Sequence, residues 1–115
     1  MGKFIYGDAV RADFDDRLLA HLRAVISTKL RRQEAFCFTW ANDASLGGGR
    51  TAIWLHPGAQ LVFAFSDRPP RLNRSWLERL MVQANSPAGL MVVPEPVEEE
   101  MADTTAGDRQ VDLIG

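Results

Sequence analysis

The class of fold is decided by residues 15–40, which read DDRLLAHLRAVISTKLRRQEAFCFTW. Through most of this stretch, apolar side chains recur at helical spacing and form one stripe over about four turns. Either Asp15 or Asp16 can cap this helix, because a carboxylate accepts free backbone N–H groups at the positive end of the helix dipole. At Phe36 the pattern changes, and aromatic residues alternate with smaller ones, which predicts a strand over residues 35–40. A helix followed at once by a strand predicts a mixed domain.

Strand signals lie on both sides of this stretch, and a second helix follows them. The predicted strands cover residues 3–6, 10–14, 51–56, 60–66 and 90–93. The second helix follows the cap Asn73. Its predicted buried stripe consists of Leu77, Leu80, Met81 and Ala84. The order is therefore ββαβββαβ, an α+β domain with a mostly antiparallel sheet and two helices packed on one sheet face. Short links predict that the third, fourth and fifth strands form an antiparallel meander.

A change of charge divides the chain near Pro94-Glu95-Pro96. Residues 1–94 contain 12 Lys and Arg against 8 Asp and Glu, a formal +4, whereas residues 95–115 contain 1 against 7, a formal −6. All ten aromatic residues lie between Phe4 and Trp76. We therefore predict a compact domain over residues 1–96 and an acidic, disordered tail over residues 97–115.

The composition excludes several classes of protein. With 115 residues, 46% apolar and 24% charged, the chain resembles an ordinary globular protein whose core needs neither disulfides nor metal. Cys37 is its single cysteine, which rules out an intrachain disulfide and suits a reducing compartment. The longest apolar run, Leu61 to Phe65, is far shorter than a membrane span. We predict a cytoplasmic protein that makes no membrane contact.

Six segments of the chain carry a family resemblance. They are Met1-Gly2-Lys3-Phe4-Ile5-Tyr6-Gly7, Phe14-Asp15-Asp16-Arg17, Leu19-Ala20-His21-Leu22, Lys29-Leu30-Arg31-Arg32, Ile53-Trp54-Leu55-His56-Pro57 and residues 84–96. As a set, they resemble a family of short bacterial proteins of unknown function, over residues 1–96. Some of these relatives are labelled "ATP-dependent DNA ligase", and the resemblance implies no catalytic residues.

The chemistry of a ligase provides a check on that label. A nucleotidyl-transferring ligase needs a lysine to take AMP, placed in a Lys-x-Asp-Gly pattern. The chain has two lysines: Lys3 is followed by Phe-Ile-Tyr and Lys29 by Leu-Arg-Arg. Neither fits the pattern, so the residues do not support ligase activity.

Three arginines near the start of the second helix form the candidate binding site. Arg68, Arg71 and Arg74 oppose the helix dipole there, and such a break of a local rule can mark a site for phosphate or carboxylate. A nucleic acid or a free phosphate is the predicted ligand. Two alternatives remain open: Asp67 and Glu78 pair with the arginines on a solvated face, or the acidic tail docks there in cis.

Other chemistry-bearing residues favour structural roles. Trp54 and Trp76 could stack on bases, but in a small core they are expected to pack inside. His21 and His56 lie at no recognisable metal spacing, and Cys37 lies in a predicted strand. The glycines at 47–49 lead into a strand without a following lysine, so they predict a hairpin loop rather than a phosphate loop. We predict no metal and no cofactor.

The last segment of the chain suggests a partner. Residues 110–114 resemble the short peptide by which bacterial replication and repair proteins dock on the sliding clamp. Leu113 and Ile114 would enter an apolar pocket, and Gln110 would hydrogen-bond its rim, with Asp112 in the acidic position. Ile114 departs from the pattern, because an aromatic residue is commoner there.

These observations predict a non-catalytic binding or interaction module that contacts an anion at the second helix. One alternative is a ligase-related or DNA-repair accessory protein that docks on a sliding clamp through its tail. Another is a very small enzyme that uses Cys37 or a histidine.

Overall fold

The computed structural model describes residues 1–43, 47–68 and 71–97. Its elements are β1 (Gly2–Tyr6), β2 (Val10–Phe14), α1 (Asp16–Arg31), β3 (Phe36–Ala41), β4 (Arg50–Leu55), β5 (Leu61–Ala64), α2 (Arg74–Ala84) and β6 (Leu90–Met91). The α+β class and the order ββαβββαβ are therefore confirmed.

The strands form two three-stranded sheets rather than one. The first has the order β2-β1-β5 and is antiparallel throughout, and the second has the order β4-β3-β6, with β6 parallel to β3. Helix α1 lies against β1, α2 lies against β3 and β6, and the two helices contact each other. We expected both helices on one face of a single sheet. Instead, α1 packs against the first sheet and α2 against the second.

The predicted meander is wrong at β5. This strand leaves β4 and pairs with β1, so that Phe63 stands directly opposite Phe4. The two rings lie 5.7 Å apart, and the backbone N–H of Gly7 donates to the carbonyl of Gln60 at 2.9 Å. This pairing places Phe63 against the main core. The short link after β4 favoured pairing with β4 and gave no indication of this cross-strand packing.

Aromatic rings join the two sheets. The ring of Phe4 on β1 lies 5.6 Å from Phe38 and 6.1 Å from Trp40, both on β3, and Phe14 on β2 lies 5.8 Å from Trp40. All four side chains are buried. Edge-on aromatic contacts of this kind stabilise by about 0.5–1.5 kcal/mol each beyond the burial of their area. The predicted aromatic face of β3 is therefore the centre of the core.

The caps of both helices agree with the sequence. The carboxylate of Asp15 accepts the backbone N–H groups of Arg17 and Leu18 at 3.1 and 3.4 Å, so Asp15 rather than Asp16 caps α1. The amide oxygen of Asn73 accepts the N–H of Trp76 at 3.2 Å and caps α2.

The buried stripe of α2 differs from the prediction at two positions. Leu80 and Ala84 are buried as expected, but Leu77 and Met81 are only half-buried, and Trp76 is buried in their place. The indole N–H of Trp76 donates to the carbonyl of Val93 at 2.9 Å, and its ring lies 4.5 Å from His21 on α1. These contacts turn the Trp76 side of the helix inward.

Candidate functional site: an arginine-lined groove

Helix α1 is fastened to the chain that leads into α2 by a buried histidine. Nε2 of His21 accepts the backbone N–H of Asn73 at 2.7 Å. Since Nε2 is an acceptor, the ring proton lies on Nδ1, which donates to the carbonyl of Arg17 at 2.7 Å. His21 is fully buried, and these two bonds hold the start of α2 against α1, which is a structural role as expected from the sequence.

The start of α2 is also held by hydrogen bonds to Glu95 and Pro96. Arg17 donates from Nη2 and Nε to the carboxylate of Glu95 at 2.6 and 2.9 Å, and from Nη1 to the carbonyl of Arg71 at 3.0 Å. The amide nitrogen of Asn73 donates to Glu95 at 2.9 Å and to the carbonyl of Pro96 at 3.0 Å. We call Arg17, His21, Asn73 and Glu95 the polar clamp.

The clamp sets the charge state of its carboxylate. Hydrogen bonds from Arg17 and then from Asn73 lower the pKa of Glu95 from 4.5 to about 2, because both stabilise the ionised form. Glu95 therefore stays ionised at any physiological pH. The segment after Val93, expected from its prolines to close the domain, is held there by specific bonds.

Beside the clamp, α1 and Leu72 enclose a groove of about 390 Å³. Its lining consists of Ala20, Arg23, Ala24, Ser27, Thr28, Arg31 and Leu72. The alanines and Ser27 are small and leave the space open, while the exposed side chains of Arg23 and Arg31 supply positive charge. The hydroxyl of Thr28 donates to the carbonyl of Ala24 at 2.8 Å. We call this feature the arginine-lined groove.

None of the three predicted arginines lines this groove, although Arg71 and Arg74 lie within two residues of Leu72 in the sequence. Arg71 precedes the wall residue Leu72, Arg74 is the first residue of α2, and Arg68 is also exposed. Among the described residues, no ion pair joins any of the three to Asp67 or Glu78. Asp67 instead accepts the backbone N–H of Arg68 at 2.8 Å. The charge-pairing alternative thus finds no contact in the described structure.

Sequence reasoning missed Arg23 and Arg31. A signal was present, because Arg23, Ser27 and Arg31 recur every four residues and so share one face of the helix. That face lies away from the apolar stripe of α1, which is the stronger pattern in the sequence. It becomes a candidate site only when Leu72 is placed beside it.

The two tryptophans singled out in the sequence have different positions. Trp76 is buried, as expected, with 6% of its surface exposed. The expectation for Trp54 is wrong: its side chain is 63% exposed on the outer face of β4, opposite Cys37. Leu55 and Ile53 take the inward positions of that strand, so alternation turns Trp54 outward.

The residues proposed for an enzyme have structural partners. Both ring nitrogens of His21 bond to backbone groups, and Nδ1 of His56 accepts the N–H of Gly58 at 3.2 Å. Cys37 is half-buried, with its sulfur 3.8 Å from the hydroxyl of Thr39. Lys29 is buried and bonds to Asn85 at 2.6 Å and to Glu34 at 2.8 Å. Within the described residues, no group of three or more His, Cys, Asp or Glu side chains could hold a metal ion.

The peptide predicted to dock on a sliding clamp, a separate protein, lies outside the described residues. Its positions Gln110, Asp112, Leu113 and Ile114 stay predictions from sequence. The same holds for the acidic tail over residues 97–115, of which the structure describes only Val97. In the part of the chain that the structure covers, no helix has the length and apolar character needed to cross a membrane.

Comparison with known proteins agrees with the sequence resemblance. No curated protein and no solved structure matches the chain. One family model, described as a domain of unknown function (DUF7882), matches residues 1–95 and so ends at the clamp residue Glu95. The matched range covers both sheets and both helices. The chain therefore belongs to this family of domains of unknown function, the DUF7882 family.

Proposed function

We propose that this protein is a non-catalytic binding module that holds the phosphate groups of a nucleic acid at the arginine-lined groove. One observation carries the proposal. Arg23 and Arg31 line an open groove, Arg71 precedes the wall residue Leu72 in the sequence, and no ion pair engages any of the three among the described residues.

The chemistry of the guanidinium group supports phosphate as the contacted group. Its planar set of N–H donors matches the oxygens of a phosphate, and it stays charged at every physiological pH. The clamp holds Leu72 and the start of α2 in place before any ligand arrives. Binding then requires little ordering of the backbone, which favours affinity.

The spread of the arginines favours a polyanion over a single small phosphate. Arg23 and Arg31 are eight residues apart on one helix, a separation of about 12 Å along its axis. Arg71 and Arg74 extend the charge to the start of α2. Successive phosphates of one strand match this separation better than a single phosphate does, because each arginine can then contact its own phosphate without bending toward the other.

The experiment is a titration of a fluorescently labelled single-stranded oligonucleotide by anisotropy, at about 50 and 200 mM salt. We expect binding that weakens as salt rises, because exposed arginines displace counterions. Unlabelled inorganic phosphate should compete only weakly.

Two triple variants make the test specific. R23Q/R31Q/R71Q should lose most of the affinity. R11Q/R50Q/R79Q, which removes three exposed arginines from β2, β4 and the later turns of α2, should retain it. An equal loss in both variants would show that only net charge matters, and no binding at the lower salt would end the proposal.

A further inference from the structure

The chain leaves the described structure beside the arginine-lined groove. The last described residue, Val97, follows Pro96, whose carbonyl accepts the amide of Asn73 at 3.0 Å. Asn73 in turn follows the groove wall residue Leu72. Glu95 is held by Arg17 as well, so the exit point is fixed on both sides. The described chain therefore ends close to the groove wall residue Leu72.

The segment that starts there has the charge opposite to the groove. Residues 98–115 contain six acidic side chains and one arginine, a formal −5. Three of the six are consecutive, at Glu98, Glu99 and Glu100, directly after the exit point. Carboxylates engage guanidinium forks in the same two-pronged geometry as phosphates do.

Attachment to the same chain strengthens such a contact. A segment tethered a few residues from its site has a local concentration of about millimolar or more there, so contacts that are weak in trans become effective in cis. The consecutive glutamates come first after Val97 in the sequence, and the remaining acids follow at positions 103, 108 and 112.

We propose that residues 98–115 occupy the arginine-lined groove of their own chain and compete there with the anionic partner. The acidic segment then lowers the affinity of the groove for the anionic partner, because both contact the same arginines. This inference rests on the proposed function for its biological meaning, but the contact itself can be measured without any ligand.

The experiment compares the full chain with a full-length variant in which the six acids are replaced (E98Q/E99Q/E100Q/D103N/D108N/D112N). Arginine side-chain Nε–Hε signals are recorded by NMR without ligand. We expect the signals of Arg23, Arg31 and Arg71 to shift between the two proteins at low salt and to converge at high salt. The neutralised variant should also bind the labelled oligonucleotide about fivefold to tenfold more tightly at low salt.

Two controls separate docking from a general effect of charge. In the R23Q/R31Q/R71Q background, neutralising the tail should leave oligonucleotide affinity unchanged, because the two changes act through one contact. D8N/D13N, which removes two acids from the first hairpin, should leave the groove arginine signals unchanged.

The outcomes distinguish this inference from the proposed function. If neither protein binds the oligonucleotide but the arginine signals still shift, the cis contact stands and the function fails. Unchanged arginine signals overturn the cis contact, even if the oligonucleotide binds. Shifts that depend on protein concentration would assign the contact to a second copy and also overturn it.

Discussion

The aromatic core and the polar clamp hold the same fold together by different means. The core joins the two sheets through rings such as Phe4, Phe38 and Trp40, whose attraction comes mainly from the apolar area that they bury. The clamp joins the helices and the residue 95–96 segment through bonds that each require one donor and one acceptor. A core loses stability gradually as atoms are removed, whereas the buried members of the clamp, His21 and Asn73, are destabilised whenever one of them loses its partner. The clamp borders the candidate site, so it links stability to function.

The largest effect is expected in the core. Replacing Phe38, which is fully buried, with alanine should lower the free energy of unfolding by about 3–5 kcal/mol, from lost burial and the cavity left behind. Denaturant titration measures it, with F38L as the control that keeps most of the volume. A cost below about 1 kcal/mol for F38A would contradict the assignment of Phe38 to the centre of the core.

The second effect separates the two functions of Asn73. N73A removes the helix cap and the donors to Glu95 and Pro96, so it should lower the free energy of unfolding by about 1–3 kcal/mol. N73S restores only the cap and should recover part of that loss. If N73S is as stable as the wild type, the bonds to Glu95 and Pro96 contribute nothing, and the clamp is only a cap.

The third effect is a dependence on pH. The pKa of Glu95 is about 2 in the folded protein, against an ordinary value of 4.5 that applies to the unfolded chain. As the pH falls, the Glu95 carboxylate is therefore protonated in the unfolded chain first. The stabilisation from Glu95 is therefore complete above about pH 4.5 and is lost as the pH falls toward 2. Urea titrations across this window should show a decline that is shallower in E95Q. Parallel declines in the two proteins would show that Glu95 is not held in the folded state.

The smallest effect is expected at Trp54. Its side chain is 63% exposed, so W54S should change the free energy of unfolding by about 0.5 kcal/mol or less. Trp76 is 6% exposed and bonds to Val93, so W76L should cost several times more. Thermal denaturation of both variants gives the comparison. Equal losses would mean that Trp54 is covered.

Local patterns predicted most of the fold but not its long-range pairing. The stripe on α1, the caps Asp15 and Asn73, and the aromatic alternation of β3 are encoded within a few residues. The partner of β5 is not, because alternation says which face Phe63 presents and not which strand lies beside it. The register Phe4↔Phe63 joins residues 59 positions apart.

The candidate site also has features that local sequence reveals and features that depend on long-range contacts. Arg68, Arg71 and Arg74 break a local rule and could be singled out from sequence, but none of them lines the groove. Arg23 and Arg31 become part of a site only when Leu72 lies against α1. The clamp could not be predicted, because Arg17 and Glu95 are 78 residues apart and each is an ordinary surface residue type.

The placement of the three tryptophans gives the protein its own set of optical reporters. Trp40 is enclosed between the sheets, Trp54 faces solvent, and Trp76 lies 4.5 Å from the imidazole of His21. These fluorophores therefore report on three environments: Trp40 on the aromatic core, Trp76 on the polar clamp, and Trp54 on the solvent-exposed surface. In variants that keep only one tryptophan, the fluorescence emission would follow the unfolding of the aromatic core and of the polar clamp separately, without any added dye.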